Sequence, residues 1–127
     1  MPLVRISLMQ GKTKEFRTAV GEAVHRAMVE TINVPAPDHF QVITEHAKED
    51  LVYDPSFLDI ARTDGVVFIQ ISLNIGRTVD QKRALYRRIA ELLAENPGIR
   101  KENVFINLVE VVKENWSFGN GEAQYTK

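Results

Sequence analysis

Cysteine is absent from the 127-residue chain. That removes disulfide frames, thiolate nucleophiles and cysteine-held metals, and it suits a reducing compartment. Excess charge of one sign is missing too: 16 Lys and Arg face 17 Asp and Glu, a formal net charge of −1. With the cations scattered, there is no electrostatic footprint for nucleic acid. Apolar runs fall far short of the ~20 residues a membrane helix needs. The opening stretch MPLVRISLMQ lacks the charged-then-apolar layout of a secretory signal. His25, His39 and His46 have no metal-ligand spacing, and surface roles are expected for His25 and His46. No phosphate loop, nucleotide fingerprint or Ser-His-Asp grouping is visible, so no cofactor is expected. What remains is 44% hydrophobic and 26% charged, the balance of one globular domain. The expectation is a soluble cytoplasmic protein.

What the chain does have is an internal echo. Residues 1–54 match residues 66–119 without a gap: Ile6-Ser7-Leu8 falls on Ile71-Ser72-Leu73, Gly11 on Gly76, Phe40 on Phe105 and Glu45 on Glu110. Two copies are too few for a solenoid and read as a fused pair of like units. In each unit a β-branched run (3–8 and 66–73) is broken by glycine (Gly11, Gly76). An apolar stripe at helical spacing follows: Phe16, Val20, Ala23, Val24, Ala27, Met28 and Thr31, then Leu85, Ile89, Leu92 and Leu93. Thr78 and Gln81 have capping-box spacing, and Asn96-Pro97-Gly98 ends the second helix. A further strand completes each unit, at 39–45 and 104–112.

A crossover helix makes the strands of each unit parallel. The expected fold is therefore α/β: duplicated β-α-β units forming a four-stranded mixed sheet with two helices on one face. Ile43, Phe105 and Leu108 are expected on the uncovered face, too apolar to meet water, so that face is expected to pack in a symmetric homo-oligomer. The alternative is a monomer whose segments 46–65 and 112–127 cover the sheet.

Differences between the copies point to chemistry. The first opens with Pro2; the second has Val67 there. Loss of Met1 leaves Pro2 a secondary amine, able to act as base or, protonated, as acid. Arg77 sits where the second unit's first strand turns into its helix, a position suited to a carboxylate, with Lys12 as its counterpart. Antiparallel units would bring Arg77 near Pro2. Asp38, in PAPDHFQ, can hold water or tune an amine, or simply cap a turn; its counterpart is the uncharged Asn103. Trp116 and Phe118 stand beside glycines and suit the wall of a small pocket, a core plug or an oligomer contact.

Pro2 opening a duplicated βαβ unit, with PAPDHFQ and WSFGNGEAQY, resembles the tautomerase superfamily. More narrowly, it resembles the fused-chain branch that contains malonate semialdehyde decarboxylase. The resemblance spans essentially the whole chain and implies a homotrimer acting on a small carboxylate substrate. It also implies that Pro2 is the catalytic acid, that Arg77 binds the carboxylate, that Asp38 tunes Pro2 or positions water, and that Trp116 and Phe118 line an apolar wall. One departure stands out. Asn74-Ile75-Gly76-Arg77 matches only the second arginine of the branch's R-x-R pattern, and Ile75 occupies the first place. Decarboxylation of a β-oxo acid is the leading expectation. Keto–enol tautomerisation of a 2-oxo acid such as phenylpyruvate, hydration or dehalogenation of an unsaturated acid, and non-catalytic binding are the alternatives.

Overall fold

The computed structural model describes residues 1–126. Strand β1 (Leu3–Met9) leads into helix α1 (Lys14–Ile32) and strand β2 (Gln41–His46). A connecting segment then reaches β3 (Val67–Asn74), α2 (Val79–Glu95) and β4 (Val104–Val111). The sheet order is β2-β1-β3-β4; each unit's own strands run parallel, and β1 meets β3 antiparallel. The expected architecture and the antiparallel seam are both present. At the centre of that seam Arg5 pairs with Gln70, its own counterpart in the second copy. The two units are thus related by a local two-fold axis through this pair.

Local chemistry explains the helix ends. Thr13 caps α1 by accepting from the Phe16 amide, and Asn33 leaves it in the left-handed conformation. Thr78 and Gln81 form the expected reciprocal capping box on α2. Both helices lay their apolar stripes on one sheet face: Val20, Val24, Met28, Leu85, Ile89 and Leu93 share one core with Val4, Ile6, Ile69 and Ile71.

The opposite face needs a correction. Ile43 and Leu108 pack against the helix-side core, and only Phe105 of the three expected residues lies on the open face. Side chains alternate along a strand, so Phe105 and Leu108, three apart, cannot share a face. Register agrees: Ile43 stands opposite Ile6, Leu108 opposite Ile71, and Phe105 opposite Phe68. The open face is still apolar in patches, with Val42, Phe105 and Val109 exposed. The connecting segment covers one end only, where Leu51 and Tyr53 pack with Met9, Val66 and Phe68.

Asn103 is a buried polar residue. Its side chain accepts from the Thr63 amide at 2.9 Å and donates to the Thr63 hydroxyl at 2.9 Å, tying the connecting segment to the second unit. Asn103→Ala leaves the Thr63 amide without this partner. It should cost about 1–3 kcal/mol of stability, seen as an earlier urea unfolding midpoint with the secondary structure unchanged.

Candidate active site

The seam brings the start of β1 to the end of β3, with Leu3 opposite Ser72. The chain terminus therefore lies beside the turn that carries Arg77. With Met1 attached, the Pro2 nitrogen is a tertiary amide, and the Met1 α-amine stands one residue outward of where a Pro2 amine would be. Pro2 itself is buried. The Met1 amine lies 3.9 Å from Asp38 Oδ2. Burial pushes this amine below the ordinary α-amine range; the Asp38 carboxylate pulls it back up, and the nearby Arg77 guanidinium pushes it down further. Three of the five expected residues thus converge on the terminus.

Arg77 is half-buried. Its Nη2 donates to the Ile32 carbonyl at 3.1 Å, at the C-terminal end of α1, and its Nη1 to the Asn74 carbonyl at 3.4 Å. A cation suits that negative helix end. A guanidinium has five N–H donors, so these two bonds leave capacity for a carboxylate. Asp38 ends a turn closed by its amide on the Pro35 carbonyl at 2.9 Å. Its second oxygen, Oδ1, is buried with no protein partner, which leaves an acceptor ready for water or substrate.

The aromatic tail also converges here. Trp116 Nε1 donates to Asn74 Oδ1 at 2.7 Å, in the strand-end residue three before Arg77. Trp116 stacks on Phe118 with centroids 5.5 Å apart, and Phe118 meets Tyr125 edge-on at 5.0 Å. Gln124 closes the tail on itself, accepting from the Phe118 amide at 2.9 Å and donating to the Gly119 carbonyl at 2.8 Å. Trp116 and Phe118 therefore form one aromatic group, tied to the turn that carries the cation.

Three residues near these groups were not singled out as functional by the sequence. His25, expected at the surface, is half-buried: its Nε2 lies 2.8 Å from the Ala36 carbonyl, and its ring stacks on His39 at 4.0 Å. It braces the segment that presents Asp38. Asn74 could have been noticed, since the first copy has Met9 there and only the second has a side-chain amide. Tyr125 gave no such signal. Apolar concavity exists elsewhere, between Tyr53, Phe57, Arg62, Phe68 and Phe105 on the open face, and none of the candidate residues lines it. Among the described residues no acidic or histidine cluster suits a metal ion, and no helix is long and apolar enough to cross a membrane.

Comparisons with known proteins give the family and the fold. Two family models described as tautomerase enzyme match, one over residues 38–119 and one over residues 2–58. The probable tautomerase YusQ of Bacillus subtilis (strain 168) is 44% identical over 124 residues, covering 98% of each chain. The crystal structure of FG41 malonate semialdehyde decarboxylase inhibited by 3-bromopropiolate superposes with a TM-score of 0.92. It is 38% identical, over 98% of this chain and 94% of that one. A fused 4-OT described as a symmetric trimer shares the fold, at TM-score 0.79 and 24% identity, covering 98% of both chains.

Proposed function

Because the chain belongs to the tautomerase family, we propose that it uses the amine of Pro2, uncovered by loss of Met1, to decarboxylate a small β-oxo acid. Malonate semialdehyde is the first candidate, giving acetaldehyde and carbon dioxide. The observation that carries this reading is the meeting, beside the buried Pro2, of the half-buried Met1 amine with the Asp38 carboxylate and the Arg77 guanidinium.

Each group has a step. A protonated Pro2 donates a hydrogen bond to the aldehyde oxygen. As the bond to the carboxylate carbon breaks, its electron pair flows toward that oxygen, and the ammonium stabilises the enolate that forms. The carbon then takes a proton from the Pro2 ammonium as acetaldehyde is released, and solvent returns the proton to the amine. Arg77 holds the carboxylate out of the carbonyl plane, the alignment that lets this bond break. Asp38 favours the protonated amine, working against the effect of burial. Trp116 and Phe118 form an apolar wall that favours neutral carbon dioxide over a carboxylate. In the assembly we infer, a homotrimer, the exposed Val42, Phe105 and Val109 are covered by neighbouring copies.

A second reading has its own support. Burial is the largest influence on the Met1 amine and favours its neutral form; the same surroundings at Pro2 would suit a base shuttling a proton in keto–enol tautomerisation of phenylpyruvate. Intact-mass measurement followed by NMR with malonate semialdehyde tests the first reading. Loss of Met1 and growth of acetaldehyde signals are expected; an inert substrate with an uncapped Pro2 overturns it. The pH profile separates acid from base. An acid loses activity as pH rises through the amine pKa, whereas a base gains it. Asp38→Asn removes the influence that raises this pKa, so the alkaline fall in decarboxylation should move to lower pH. A profile that rises with pH would assign Pro2 the base role.

A further inference from the structure

Asn74 is the last residue of β3, opposite Val111 and half-buried. It makes two unlike contacts. Its backbone carbonyl accepts from Arg77 Nη1 at 3.4 Å, and its side-chain oxygen accepts from the Trp116 indole at 2.7 Å. One residue thus touches both the cation of the site and the first ring of the aromatic tail, which lies 42 positions further along the chain. The first unit has Met9 at the equivalent place, where a thioether is a weak acceptor. This tie therefore occurs only in the unit that carries Arg77.

We propose that Asn74 is a positioning residue, which seats Trp116 against the Arg77 turn so that aromatic wall and carboxylate anchor are held as one body. Its catalytic consequence rests on the function proposed above; the seating of Trp116 does not. Without the side-chain amide, the indole N–H loses its partner in a half-buried setting and turns toward water. Phe118, stacked on Trp116, follows it. Water then reaches the place where the carboxylate must lose its charge, so the breaking of the bond suffers more than substrate binding does.

The chain has a single tryptophan, so its fluorescence reports the surroundings of Trp116 alone. In the native assembly, Asn74→Ala should shift the emission to longer wavelength and raise acrylamide quenching about twofold. It should also lower kcat for malonate semialdehyde about tenfold, with KM little changed. Asn74→Asp keeps an acceptor for the indole, so the native emission should persist with kcat near normal. Its new negative charge beside Arg77 should raise KM severalfold. Unchanged emission in Asn74→Ala overturns the proposal. So does shifted emission with a normal kcat, the mark of a purely structural tie. If Asn74→Ala does not fold, Asn74→Asp decides: native emission with raised KM supports the seating, and shifted emission with normal KM overturns it. If the native protein turns over no β-oxo acid, the function proposed above fails separately, and the emission of Asn74→Ala still decides whether Asn74 seats Trp116.

Discussion

Alanine in place of Pro2 should reduce turnover by roughly 10²–10⁴-fold, the range a positioned acid or base contributes. Alanine is small enough to permit loss of Met1, so the variant still ends in a free amine at the same buried point. That amine is primary, less basic, and free to rotate where the pyrrolidine ring fixed the nitrogen's direction. The sheet takes no N–H from position 2, since its ladder in β1 begins at Leu3. The fold and assembly should therefore persist, as size-exclusion chromatography would show. Full activity in this variant removes the pyrrolidine amine of Pro2 from the mechanism.

Arg77→Ala is expected to raise KM about 10- to 100-fold, the loss of a charge-assisted pair with the substrate carboxylate. Steady-state kinetics with a saturable substrate series measures it, and an unchanged KM at normal rate would count against the assigned role. A second readout comes free. Arg77 lowers the pKa of the Met1 amine whereas Asp38 raises it; a Pro2 amine one residue further in faces the same two charges, so the alkaline limb of Arg77→Ala should move to higher pH, opposite to Asp38→Asn. Arg77→Lys should recover part of the binding, since a point charge lacks the forked donors of a guanidinium. The Ile32 carbonyl, now an acceptor for Arg77, loses its partner in the alanine variant, so a lower melting temperature should accompany the kinetic change.

Much of the fold is legible in the chain because its signals are local. The capping box at Thr78 and Gln81 lies within one helical turn, and the repeat supplies each element twice. Pro2 and Asp38 stand out as differences between copies, and Arg77, whose counterpart Lys12 is also a cation, by its place at the strand-to-helix turn. What failed was strand parity: Phe105 and Leu108 were set on one face because both are apolar, although their odd separation forbids it. What was hidden depended on contacts distant in sequence. His25 reaches the Ala36 carbonyl across the turn after α1, and Asn74 reaches Trp116 from another strand end. No periodicity within a single element encodes such partners.

The two-fold axis through Arg5 and Gln70 carries a consequence of its own. The backbone at the Pro2 end has a counterpart related by rotation, in which Val67 stands opposite Leu8 and the turn bearing Lys12 lies close by. A shallow hollow lined by Met9, Lys12, Asp64 and Gly65 marks that place. There the polypeptide runs straight through, its nitrogen committed to an ordinary peptide link. That end of the seam therefore lacks the free amine on which the proposed chemistry depends, and its residues, Asn103 among them, serve as mortar between segments.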